Sequence, residues 1–151
     1  KTQFHISETG LKNSSSNIIP KGNLIIATRV GLGKACLINQ DTAINQDLKG
    51  LLPIKKDLIN IKYLLYWLKS IAPEIIKNGK GATVQGVNLQ FIKTLQFTLP
   101  LFNKQKQIVE KLDAINLEKD ISISALNSQI DNYIVLKSSI LSHELEGKRA
   151  V

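Results

Sequence analysis

Several things are scarce in this chain, and each shortage closes off a class of chemistry. It has a single cysteine, Cys36. That excludes an internal disulfide and a cysteine-based zinc cluster, and it agrees with a reducing compartment. Flanked by Ala35 and Leu37, Cys36 reads as a buried core thiol rather than a nucleophile. The two histidines, His5 and His143, lie far apart in sequence and have no neighbouring His or carboxylate at a metal-binding interval. No run reaches the roughly 18 to 20 apolar residues of a membrane helix, and no signal-peptide pattern opens the chain. The expectation is a soluble, cytoplasmic protein with no membrane partner. Methionine is absent, and the chain starts at Lys1; a processed or excised piece is the natural reading. Aromatic residues make up only 5%.

What is present fits an ordinary globular chain of 151 residues, 43% hydrophobic and 21% charged. This is the size of one domain, or of a compact domain with one appended element. The net charge of +8 is unevenly placed. Residues 1–103 carry 13 Lys or Arg against 5 Asp or Glu, whereas residues 104–151 carry 7 of each. A basic first part beside a neutral second part suits a polyanion partner, because clustered cations gain free energy by releasing counterions from nucleic acid.

The first part reads as mixed α and β. Asn23 to Thr28 and Ala35 to Ile38 are short apolar, β-branched runs with Gly31 and Gly33 between them, the pattern of a hairpin. Asp47 to Leu52 predicts a third strand, stopped by Pro53. Ile61, Leu64, Leu65, Leu68 and Ile71 then follow the spacing of an amphipathic helix, broken by Pro73 before a shorter turn through Ile75 and Ile76. A glycine-rich loop runs from Lys77 to Gln85. Leu89, Ile92 and Leu95 predict a short helix, and Leu95 to Leu99 alternate as a strand would before Pro100.

Between Pro100 and Gly147 there is neither glycine nor proline. Residues 104–146 therefore predict one helix of about 43 residues, roughly 65 Å long, with a less regular middle from Glu118 to Ser124 that is a place for a bend or break. Ile108, Leu112, Ile115, Leu126, Ile130, Tyr133 and Ile140 recur mostly three or four apart, as helix pairing requires. A helix of that length cannot bury its stripe within a domain of about 100 residues, so a partner helix is implied. The expected class is α+β: a mixed α/β domain over 1–103, a long coiled-coil helix over 104–147, and a tail at 148–151.

A series of segments, in order, resembles the specificity subunits of type I restriction-modification systems. They are Gly10 to Ser15 with Pro20 to Ala27, the glycine turn Arg29 to Lys34, and Ala43 to Gln46 with Leu51 and Pro53. Tyr63 to Tyr66, Gly81 to Thr83 with Val87 and Asn88, and Leu95 to Pro100 follow. Gln105 with Ile108 to Leu112, then Leu136 to Leu141 and Gly147, complete the set. Leu101 after Pro100 and Lys104 before Gln105 depart from the family's usual connection.

The resemblance implies a non-catalytic subunit whose target-recognition domain reads half of a split sequence in double-stranded DNA. It further implies spacer helices that pair antiparallel, with a second helix of the same parent subunit or of a homodimer mate. DNA methyltransferase subunits and a motor-nuclease restriction subunit are the implied protein partners. Recognition domains of this family look longer and usually come two to a subunit, so an N-terminally incomplete domain is expected.

Against that background Lys77, Asn78, Gly79, Lys80, Gly81, Thr83 and Gln85 are the first candidates for DNA contact. Lysines meet phosphates, glycine backbone approaches closely, and Thr or Gln donates and accepts at base edges. A plain solvated turn is the alternative. Arg29 and Lys34 beside the Gly31 and Gly33 turn form a second group. They are not a nucleotide-binding P-loop, because Ala35 stands where a magnesium-binding hydroxyl is needed. Lys55, Lys56 and Lys62 extend the basic surface or are simply solvated.

Catalytic residues, metal ligands and cofactors are not expected. Glu110, Asp113, Glu144 and Glu146 belong to a charge-balanced helix surface, not to a paired acid and base. The alternative reading is a helix-mediated dimerisation scaffold that binds DNA without preference. A small nuclease or transferase ranks below both, since clustered acids and a cofactor loop are lacking.

Overall fold

A computed structural model describes residues 5–146. It divides into two compact units, Lys1–Val109 and Glu110–Val151. The class is α+β: small antiparallel sheets and short helices, followed by one long C-terminal helix.

The first unit is organised by β2 (Leu24–Ala27), every residue of which is buried. Its neighbours in a three-stranded sheet are β3 (Ala35–Leu37) and β5 (Leu48–Leu51), both antiparallel to it. Successive side chains of a strand point to opposite faces, so an uninterrupted apolar run serves two cores at once. Leu24 and Ile26 pack with Leu68 of α2 (Ile61–Ser70) and Ile75 of α3 (Ala72–Lys77). Ile25 faces the other way and packs with Ile19, Ile38 and Ile44. Ile19 and Ile44 come from a second, two-stranded antiparallel sheet of β1 (Asn17–Ile19) and β4 (Thr42–Ile44). A short α1 (Glu8–Lys12) precedes it, with the Ser7 hydroxyl accepting from the Gly10 amide.

The hairpin expected between residues 23 and 38 forms, with Gly31 and Gly33 in the left-handed region at φ +76° and +79°. The third strand spans 48–51 rather than 47–52. The Asn60 side chain caps α2 by accepting from the Lys62 and Tyr63 amides. Pro73 sits in the first turn of α3, where a missing N–H costs nothing. It therefore opens a second helix directly after the first ends.

Two expectations are corrected. Residues 95–99 are not a strand. Their alternation is expressed as packing instead: Phe97 lies edge-on to Trp67, with ring centroids 4.8 Å apart, and the Tyr63 hydroxyl donates to the Thr98 carbonyl. The segment runs along α2 with no strand to pair with. Cys36 is exposed, not buried. It lies on β3, an edge strand of the sheet, so apolar neighbours in sequence do not enclose it.

After α4 (Leu89–Thr94), α5 runs unbroken over Phe102–Glu146, 45 residues or roughly 68 Å. It starts two residues before the expected 104, and the irregular middle neither bends it out of the helical pattern nor breaks it. The family-like Gly147 lies outside the described residues. The root of α5 is fixed in the first unit by Gln105, which is fully buried. Its Oε1 accepts from the Asn60 amide at 2.8 Å, and its Nε2 donates to the carbonyls of Leu58 (2.9 Å) and Pro100 (2.8 Å). One side chain thus ties together the cap of α2, the segment before it and the start of α5, and Val109 one turn later is also buried.

Replacing Gln105 with Leu keeps the volume but leaves one amide and two carbonyls without their partner. The expected loss is about 2–4 kcal/mol of unfolding free energy, measured by urea denaturation. A loss below about 0.5 kcal/mol, the range of ordinary surface changes, would contradict this role.

Candidate nucleic-acid interface

The two glycine turns singled out in the sequence meet in the first unit. Residues 80 to 86 close a small antiparallel ribbon: the Lys80 amide donates to the Gly86 carbonyl at 2.8 Å and the Gly86 amide returns the bond at 3.0 Å. Gly81 enters the loop at φ +140°, where a Cβ would run into the Val84 carbonyl oxygen. Only glycine takes that conformation without strain. The base of the ribbon is fixed to the end of β2, since the Val87 amide donates to the Thr28 carbonyl at 2.9 Å. Gly86 lies so close to residue 29 that a Cβ there would stand 2.8 Å from Arg29 Cγ. Gly79 likewise rests against Leu32, with only 2.7 Å from a Cβ position to Leu32 Cδ2.

The structure therefore joins the Arg29–Lys34 turn and the Lys77–Gly86 loop into one surface. Lys34, Lys77, Lys80, Thr83 and Gln85 are exposed on it, and so is Gly81 at the entry to the loop. Asn78 is partly committed elsewhere: it terminates α3, and its Nδ2 donates to the Glu74 carbonyl at 2.9 Å. Lys55 and Lys56 lie in the loop between β5 and α2, and Lys62 on the first turn of α2.

Arg29 has a defined partner. Its Nη1 donates to Asp47 Oδ1 at 3.3 Å, with the Arg side chain 51% exposed and the Asp side chain 19%. Asp47 is itself fixed: its carbonyl accepts from the Thr28 amide (2.8 Å) and hydroxyl (3.0 Å), and its amide donates to Asn45 Oδ1 at 3.1 Å. Asp47 and Gly86 were not among the sequence candidates. Asn45 and Asp47 spaced for a side-chain turn, and a third glycine closing the loop, were the available signals.

An open cleft of about 600 Å³ beside α1 and β4 is a poor match for a polyanion, because Glu8 and Asp41 are on its walls. Among the described residues no group of three His, Cys, Asp or Glu is placed to hold a metal ion. No helix there is long and apolar enough to cross a membrane.

In the second unit, Ile115, Leu126, Ile130, Tyr133 and Ile140 are 54–71% exposed. Ile108 and Leu112, nearer the root of α5, are half-buried. At intervals of seven, Leu112, Leu126, Tyr133 and Ile140 share one register, interrupted by Lys119, and Ile115 and Ile130 flank that series three and four residues after Leu112 and Leu126.

Residues 1–132 match the family model of the type I restriction modification DNA specificity domain. The chain belongs to this family. Among curated relatives, the EcoR124I/EcoR124II specificity subunit of Escherichia coli is 29% identical over 118 residues, covering 74% of this chain and 29% of that protein. The MjaIX specificity subunit of Methanocaldococcus jannaschii is 26% identical over 110 residues, 72% of this chain and 25% of the relative. The chain thus spans between a quarter and a third of the length of these relatives.

Solved structures agree on the fold. A chain from a study of complex assembly and conformational transition of the type I R-M system superimposes with a TM-score of 0.74 at 24% identity, covering 83% of this chain and 31% of that one. The type I restriction-modification S subunit from M. genitalium gives 0.58 at 24% identity, covering 82% and 35%. For this specificity domain the comparisons make the α+β body and the long helix a shared fold.

The ribbon predicts its own weak point. Gly81→Ala adds a Cβ where the Val84 carbonyl stands and is expected to open the loop at a cost of about 1–3 kcal/mol. Hydrogen exchange should then show lost protection at the Lys80 and Gly86 amides, with global unfolding little altered. Unchanged protection at both would contradict the closed ribbon.

Proposed function

We propose that this chain is part of a DNA sequence-specificity subunit of a type I restriction-modification complex. Residues 1–103 form the recognition domain, which reads one half of a bipartite target in double-stranded DNA. The long helix α5, Phe102–Glu146, serves as the spacer helix. The observation that carries the reading is the merging of the two basic glycine turns into one exposed surface within residues 1–103, which hold the whole net charge. Lys34, Lys77 and Lys80 meet phosphates, which position the protein, while Thr83, Gln85 and Arg29 face base edges, which specify sequence.

The exposed apolar seam of α5 supports the second half of the proposal: it pairs with a second spacer helix, from the same parent subunit or a homodimer mate. The distance between half-sites and the placing of methyltransferase subunits then follow from the rod, and a motor-nuclease subunit joins for cleavage. The chain supplies recognition and geometry, and its partners supply catalysis. Its place is the cytoplasm, with the DNA.

The same seam favours a second reading, a dimerising scaffold whose DNA binding has no preference. Random-sequence duplex pools titrated at several salt concentrations, with sedimentation alongside, separate the two. The specificity reading expects one short motif to be enriched. Three phosphate contacts should lower affinity roughly forty-fold when salt is raised fourfold. Equal weak binding to all duplexes by a concentration-dependent dimer would leave the scaffold. A monomer at all concentrations would refute the homodimer mate and leave only a second helix of the same parent subunit as the partner.

A further inference from the structure

Arg29 is restrained at both ends, which is unusual for a half-exposed cation. At its stem, Gly86 of the closed ribbon lies against Cγ so closely that no other residue fits without displacement. At its head, one nitrogen of the guanidinium is held by Asp47, whose own backbone is anchored twice to Thr28 and once to Asn45. Thr28 is buried, so this anchor belongs to the core and not to a mobile loop.

A phosphate contact does not require such restraint. An arginine fork can meet a phosphate through two N–H groups, but a free lysine meets it as a point cation without a fixed orientation. Reading a guanine is different: two parallel N–H groups must meet O6 and N7 together in the plane of the base. A guanidinium fixed through one nitrogen still offers four N–H donors in its rigid fork, and the entropy of ordering it has been lost before DNA arrives. The neighbouring lysines on the same surface have no such frame: Lys34, Lys77 and Lys80 are simply exposed.

We infer that Arg29 reads a guanine in the major groove and that Asp47 is its positioning residue, aiming the fork through the ion pair while Gly86 holds the stem. The inference rests on the DNA-reading proposal above and adds to it the base that Arg29 reads and the residue that supports it. Asp47 itself makes no contact with the base; it acts through Arg29.

The test is selection from random duplex pools with the whole chain and with Arg29→Ala, Arg29→Lys and Asp47→Asn, each followed by affinity measurements at several salt concentrations. For Arg29→Ala, preference for guanine at one position is expected to fall about tenfold or more, with the other positions retained. The slope of log affinity against log salt should stay nearly constant. Arg29→Lys keeps the charge and the stem but lacks the fork, so it is expected to lose the same guanine and to exclude a folding defect as the cause. Asp47→Asn removes the ion pair and should weaken the same position partially, leaving the salt slope alone. Uniform weakening across all sequences, with the slope reduced by about one in Arg29→Ala, would make Arg29 a phosphate contact and overturn the inference while the DNA-reading function stood. A wild-type chain that selects a motif unaffected by all three variants would overturn it likewise. Absence of any preference in the wild type would overturn the function and the inference together.

Discussion

The first unit depends on one strand that has no solvent side. Because Leu24, Ile25, Ile26 and Ala27 are all buried, two separate sets of apolar residues must be brought to β2, and each set fixes a different part of the molecule. On one face the helices α2 and α3 arrive, and with them the start of the Lys77–Gly86 loop. On the other, β1 and β4 arrive. A one-residue slip of β2 would exchange the two faces and present each core with the wrong side chains. The register of β2 against β3 and β5 is accordingly also the register of the candidate surface, since Thr28 and Arg29 follow directly from its last residue.

Much of this was legible from residue order alone. The apolar run at 24–27, the glycine turn after it, the break at Pro73 and the long stretch without Gly or Pro each have a local cause, and local causes survive in the sequence. What was hidden required knowledge of neighbours. Residues 95–99 alternate like a strand, but the partner their side chains meet is the aromatic face of α2. Cys36 has apolar neighbours in sequence and solvent in space, because strand order places β3 at an edge. Strands of three residues such as β1 and β4 leave almost no pattern to detect. The candidate surface divided the same way: its cations and glycines were visible, whereas the role of Asp47 depends on a contact 18 positions away in sequence.

Gln105 shows how a polar residue organises an apolar setting. At the root of a helix, backbone groups lack intrahelical partners, and here the carbonyls of Leu58 and Pro100 and the amide of Asn60 would be stranded beside it. A single amide side chain carries the acceptor and the two donors that this cluster needs. The requirement is stoichiometric, which no apolar or charged residue of similar size meets: Leu has no polar atoms, and Glu exchanges both donors for acceptors. The family resemblance placed Gln105 in the pattern, and its hydrogen bonds give the physical reason for amide chemistry at that position.

The exposure of Cys36 bears on how self-association of this chain is to be read. A lone surface thiol joins two chains through one covalent bond wherever oxidant is present, and such a pair has twice the mass whether or not their helices touch. It would survive dilution and vanish with reductant, the reverse of what a noncovalent seam does. The same thiol, being the sole one, is also a single chemical handle on the edge of the central sheet, so a dye or spin label attached there reports from one known place without any change to the sequence.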